Sequence, residues 1–286
     1  MESRVPAKLR GRAPRFPELR IGERHQAHAG GRESDQRVSE MEMDGVGAEV
    51  IYPSYPMKLY SLGREDADLQ EACFRAYNDW LAEYCSVAPN RLLGIGMIST
   101  YDIDSAIVEM MRCKSLGMGG VMVWQCPPED LPFSSGHYDL FWKAAQDLNM
   151  PISIHSLTGV GETARRYPDR PARSVDRSGL DRYRGSGQTD VTTALFDIIF
   201  SGVLHRFPEL KIVLVENEIG WIPFTLQGWD RSVAKFAGNT TLEIDKLPSE
   251  YFMRQVYATF FNDTVGGKML TWWGQDNCMW SNDFPP

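Results

Sequence analysis

The chain has 286 residues and a mass of 32.4 kDa, enough for one α/β barrel with a large core. With 43% hydrophobic and 24% charged residues it has the composition of a globular protein, and no apolar run approaches the ~20 residues of a membrane span. A formal net charge of −8 excludes binding to nucleic acid through a generic basic surface, and no tripartite leader opens the sequence.

Residues 1–40 carry eight arginines, several prolines and glycines, and little apolar periodicity. They are expected to form an irregular segment, with 22–36 as loop. From residue 41 onward short apolar runs alternate with helix-like stretches. The runs 47–53, 91–99, 119–124, 151–155, 211–216, 256–262 and 277–283 read as strands; 66–88, 102–117, 138–149 and 190–208 read as helices. In the first of these helices Leu69, Cys73, Ala76, Tyr77, Trp80, Leu81 and Tyr84 form a stripe for packing on a sheet. Asp102 and Asp190 are expected N-caps, and Gly117 closes a helix. Alternating strands and helices predict a parallel sheet. Seven strands are visible where a closed barrel needs eight, and a doubly wound sheet is the alternative.

The five cysteines, at 73, 85, 113, 126 and 278, form no CxxC pair and total an odd number. They read as reduced, mostly buried thiols of a cytoplasmic protein.

In an α/β barrel chemistry gathers at the carboxyl ends of the strands. His155, Glu216, Asn262, Asp263 and Asp283 stand at such ends. Imidazole and carboxylate together suit a catalytic zinc or similar cation that keeps one position open for water. Each residue also has a plainer alternative: a core histidine, an N-cap aspartate, a glutamate paired with arginine. His25 and His28 stand three apart in loop sequence, His137 and His205 lie at helix ends, and 117–120 is a turn rather than a phosphate loop. Trp124 and Trp221 follow strand ends and are candidate walls of a pocket for an aromatic substrate.

The phrases 44-DGVGAEVIYPS-54, 151-PISIHS-156, 207-FPELKIVLVENEIGWIPF-224 and 279-MWSNDFP-285 resemble the amidohydrolase-related family that includes aminocarboxymuconate-semialdehyde and hydroxybenzoate decarboxylases. The resemblance implies a (β/α)₈ barrel with one divalent metal, commonly zinc, at its mouth. It places the fifth-strand histidine ligand on His155 and the eighth-strand aspartate, both ligand and proton-transfer group, on Asp283. Glu216 stands where many relatives have a histidine, and Pro286 where many have another. The family's first-strand metal motif has no counterpart before residue 47. The resemblance therefore implies a barrel lacking strand one and the last helix, with residues 41–286 as the incomplete barrel and the metal weakly held.

Three functions follow as expectations. The first is metal-dependent, non-oxidative decarboxylation of an aromatic or unsaturated carboxylate, with Asp283 and Glu216 as catalytic groups. The second is hydrolysis of an amide, ester or lactone by the same residues. The third is a catalytically silent binding or interface module. The expected partners are a small carboxylate or cyclic substrate and a second copy in a homodimer, with neither nucleic acid nor membrane.

Overall fold

The computed structural model describes residues 29–159, 188–236, 238 and 242–284. His25, His28 and Pro286 lie outside the described residues. All seven expected strands form: β1 (Glu49–Ile51), β2 (Leu92–Met97), β3 (Gly120–Val123), β4 (Ile152–His155), β5 (Ile212–Val215), β6 (Val256–Phe260) and β7 (Cys278–Trp280). They make one sheet in chain order, and every neighbouring pair is parallel. The helices are α1 (Ser34–Asp44), α2 (Ala67–Cys85), α3 (Ile103–Ser115), α4 (Asp139–Asp147), α5 (Gln188–Phe200), α6 (Val203–Arg206), α7 (Ile222–Phe236), α8 (Pro248–Gln255) and α9 (Thr264–Met269).

Strands β3 and β5 are uninterrupted apolar runs, and every residue of β3, β4 and β5 is buried because both faces of the sheet are covered. Register divides the two faces. Met97, Met122, Ser153, Val213 and Tyr257 stand in one cross-strand row, and His155 pairs with Val215 one step further along. On the opposite face Gly94 lies against Leu81 and Cys85 of α2. Gly96 lies against Cys113 of α3 and against Met118, so the helices pack on that side.

The sheet is curled. Its first and last strands are six inter-strand steps apart, roughly 29 Å if the sheet were flat. Yet Arg37 of α1 pairs with Glu49 of β1 at 2.5 Å and lies 3.8 Å from the ring centre of Phe284, four residues past β7. The row that includes Ser153 and His155 therefore lines the concave side. The first and last strands keep exposed apolar groups (Val50 is 45% and Trp280 63% exposed), and β1 and β7 do not pair with each other.

Several details differ from expectation. Residues 34–40, expected to be irregular, are helical: Arg37 and Met41 are buried, and Tyr84 donates to the Gly30 carbonyl just before α1. Tertiary contacts, not a strong apolar period, hold this helix. The inward face of α2 is rotated from the expected stripe. Leu69 and Trp80 are exposed, whereas Gln70 and Asn78 are fully buried. These two polar residues are tolerated there because they bond to backbone. Gln70 donates to the Leu59 carbonyl, and Asn78 bonds both the N–H and the carbonyl of Met97. Asp102 caps α3 through the Ser105 N–H at 2.8 Å, as expected. Asp190 lies inside α5 (Gln188–Phe200), in its first turn, where an acid complements the helix dipole. Gly117 ends α3 with a positive φ of 84°, its N–H on Lys114 and the next N–H on Cys113. The stretch 190–208 is broken at Gly202, also left-handed, into α5 and α6. Cys73, Cys85, Cys113 and Cys278 are free thiols, and Cys85, Cys113 and Cys126 are buried.

Candidate active site

Because all strands run the same way, their carboxyl ends form one rim. Among the described residues, the non-glycine residues with left-handed backbone are Asn149, Leu157, Glu216, Glu218 and Asp283, and four of these five sit just past β4, β5 or β7. Such conformations cost about 1–3 kcal/mol each and persist where the surroundings enforce them. The strain is concentrated on this rim.

His155 ends β4 and is 1% exposed. The left-handed turn at Leu157 brings the Ser156 carbonyl within 2.8 Å of its Nδ1, and the Thr158 hydroxyl holds the His155 carbonyl at 2.6 Å. Thr158 also accepts the Gln125 N–H, tying this turn to the end of β3. A carbonyl only accepts, so Nδ1 carries the proton. In the neutral ring Nε2 is then a bare lone pair.

That lone pair faces Glu216, whose Oε1 is 3.5 Å away. Glu216 follows β5, and its N–H is held by the Thr259 hydroxyl on β6 at 2.8 Å. Two acceptors aimed at each other are unfavourable alone and become favourable with a cation between them. The donor set, one imidazole nitrogen and one carboxylate oxygen, suits a divalent metal. The pair fits such an ion as two of its ligands. Among the described residues no group of three or more His, Cys, Asp and Glu side chains is gathered for a metal.

The loop after Glu216 is fixed by β6 and α9. Asp263 caps α9 at the Gly266 N–H (2.7 Å) and also accepts from Ile219 N (2.9 Å) and Gly220 N (2.5 Å). Glu218 accepts from Phe261 N at 3.3 Å; burial, with Asp263 nearby, raises its pKa above the ordinary value. The Trp221 indole donates to the Asn217 and Glu218 carbonyls.

Two residues that the sequence did not single out complete the cluster. Tyr52, one position past β1, sets its ring edge against the His155 imidazole, 5.5 Å between centres at 62°. Its hydroxyl lies 3.0 Å from the Ser153 Oγ. Burial, with the Glu216 carboxylate adding to it, pushes the Tyr52 phenol up to about 12, although Ser153 opposes the shift. Ser153 had a signal in the sequence, since it lies two residues before His155 and so shares its face. Tyr52 had only its place after a short strand.

The expected site residues therefore fall into groups. His155 and Glu216 are brought together. Asp283 lies on the same rim beyond β7, exposed and left-handed, and does not complete a three-ligand cluster with them. Asp263 is a cap and loop anchor. Trp124, expected as a pocket wall, is 1% exposed; it is packed between Tyr60 and Tyr101 with its indole N–H on Tyr138. It is core, because its side chain extends the inward row between buried aromatic residues. Trp221 is half-buried and buttresses the Glu216–Glu218 loop. His137 bonds the Thr100 carbonyl, and His205 bonds Asp245 and Tyr251, both structural roles.

Comparison with known proteins bears on the family and the fold. The amidohydrolase family model matches residues 24–286. Gamma-resorcylate decarboxylase of Rhizobium radiobacter is 26% identical over 269 residues, covering 88% of this chain and 76% of the relative. Two solved structures share the fold. 5-Carboxyvanillate decarboxylase of Sphingomonas paucimobilis has a TM-score of 0.68 at 24% identity, covering 87% of this chain and 72% of that one. Dihydroxybenzoic acid decarboxylase of Polaromonas sp. JS666, with bound manganese and the inhibitor 2-nitroresorcinol, has a TM-score of 0.72 at 22% identity, covering 88% and 75%. With the family model spanning all but the first residues, and a parallel sheet that carries a histidine and a carboxylate on its functional rim, the chain belongs to the amidohydrolase family.

Proposed function

We propose that this protein is a metal-dependent decarboxylase of a hydroxylated aromatic carboxylate, built on seven strands of a (β/α)₈ barrel. The observation that carries the proposal is the His155 Nε2 lone pair facing the Glu216 carboxylate at 3.5 Å on the strained rim. The relatives named above, which decarboxylate aromatic acids, support the choice of reaction over hydrolysis. His155 and Glu216 would hold a divalent ion, zinc or manganese, with Asp283 as the further carboxylate on the rim. When bound, the ion supplies positive charge for the substrate carboxylate and neighbouring oxygen. Asp283, in its acid form, gives a proton to the ring carbon that bears the carboxylate. The carbon–carbon bond then breaks, CO₂ leaves, and the bonding pair restores the aromatic ring. Tyr52 and the buried sheet wall exclude water from the reacting carbon.

The test is CO₂ release from 2,6-dihydroxybenzoate and related hydroxybenzoates by protein reconstituted with Mn²⁺ or Zn²⁺. One CO₂ per dihydroxybenzene formed is expected, with no label entering the product oxygens from ¹⁸O-water. His155→Ala is expected to lower turnover by at least about 100-fold. Labelled oxygen in a product formed from an ester or lactone, without CO₂ from any aromatic acid, would establish hydrolysis instead.

A further inference from the structure

The Tyr52–Ser153 hydroxyl pair has an asymmetry that assigns it a role. Two hydroxyls bring two protons, and their mutual bond at 3.0 Å uses one. Ser153 is 1% exposed, and among the described residues Tyr52 is the partner recorded for its hydroxyl. If Tyr52 donated to Ser153, the serine proton would be left in the interior with no acceptor, a loss of about 1–3 kcal/mol. If Ser153 donates to Tyr52, the serine proton is used, and the O–H of Tyr52, the less buried of the two residues, is left as a donor for a ligand. The second arrangement wins. It leaves a neutral O–H donor, held from behind by Ser153 and from the side by the His155 ring, next to the His155–Glu216 pair.

We propose that Tyr52 is a specificity-determining, substrate-binding residue: its hydroxyl, oriented by Ser153, donates a hydrogen bond to a ring hydroxyl oxygen of the aromatic acid. The choice of aromatic hydroxy acid rests on the decarboxylase reading above. A divalent ion held by His155 and Glu216 would attract the carboxylate of such a ligand. The ring oxygen beside it is the acceptor that suits a neutral donor. A site built to bond a substrate hydroxyl discriminates strongly against an analogue that lacks it, because the site's own polar group is then left unpaired.

The experiment is equilibrium calorimetry on the Mn²⁺-loaded full chain with two probes, 2,6-dihydroxybenzoate and benzoate. The wild-type protein is expected to prefer the dihydroxy acid by about tenfold or more. Tyr52→Phe keeps the ring against His155 and removes only the donor; it is expected to erase most of that preference while benzoate affinity stays within about twofold. Ser153→Ala leaves Tyr52 in place but unoriented, and is expected to lose part of the preference. If Tyr52→Phe lowers thermal stability, Ser153→Ala carries the same test. An unchanged preference in both variants overturns the proposal, as does a wild-type protein that binds the two acids equally. A Tyr52-dependent preference in a protein that releases no CO₂ upholds this assignment and removes the decarboxylase reading, so the two failures are distinguishable.

Discussion

Replacing Asp263 by alanine tests how the rim is held. One carboxylate serves three backbone donors: Ile219 N at 2.9 Å and Gly220 N at 2.5 Å on the loop past β5, and Gly266 N at 2.7 Å at the start of α9. A hydrogen bond to a charged group contributes about 1.5–3 kcal/mol net, and an N-cap about 1 kcal/mol. The three bonds share one partly exposed group, and water replaces part of each, so the sum is not additive. Asp263→Ala should cost about 3 kcal/mol, which lowers the melting temperature by roughly 6–12 °C in a chain of this size. Asp263→Asn keeps one acceptor oxygen and should cost about half as much. Urea denaturation followed by tryptophan fluorescence measures the loss, and an unchanged m-value assigns it to the native state. The same variant should weaken divalent-ion binding, because Glu216 stands three residues before Ile219, the first residue that Asp263 anchors. An Asp263→Ala protein within about 1 kcal/mol of wild type would refute the idea that this carboxylate organises the rim.

Gly96→Ala should destabilise the chain by about 1–3 kcal/mol, since the new Cβ would lie 2.7 Å from both Cys113 Sγ and Met118 Sδ; thermal melting reads this directly. Asp102→Ala removes the cap on Ser105 N and should cost about 1 kcal/mol at neutral pH. That bond lowers the Asp102 pKa, so the wild-type advantage is complete above the ordinary aspartate range. It is lost as the pH falls through the lowered folded value, and stability curves of the two proteins should converge at acid pH. His155→Ala and Glu216→Gln should each weaken Mn²⁺ binding by about 10- to 100-fold or more, measured by calorimetric titration; affinities equal to wild type would remove this pair as ligands.

The strands were legible because each is a short apolar run, and a strand buried on both faces leaves no other reading once helices flank it. Helices α2 and α3 were legible from period and caps, and the Asp102 cap sits where expected. α1 was not, because its sequence lacks a strong apolar stripe and its stability comes from Arg37, Met41 and the Tyr84 bond to Gly30. The inward face of α2 was misjudged for a related reason. Apolar periodicity ranks Trp80 above Asn78, but Asn78 is buried at no cost because the backbone of Met97 takes both ends of its amide.

For the site, the sequence by itself determined which groups end the strands, and so named His155, Glu216, Asp263 and Asp283 as the polar residues of one rim. It also carried the family phrases that the comparison upheld over residues 24–286. Only the tertiary structure decided which of these residues meet. Glu216 turns to His155 through a left-handed backbone that no local pattern announces, while Asp263 is taken up by the backbone of the neighbouring loop and Trp124 by the core. Tyr52 joins them from a strand three places away across the curled sheet. The physical reason is the same in each case. Strand identity is a property of a few consecutive side chains, whereas the direction of a rim side chain depends on the hydrogen bonds that neighbouring loops offer, and those loops are far apart in the chain.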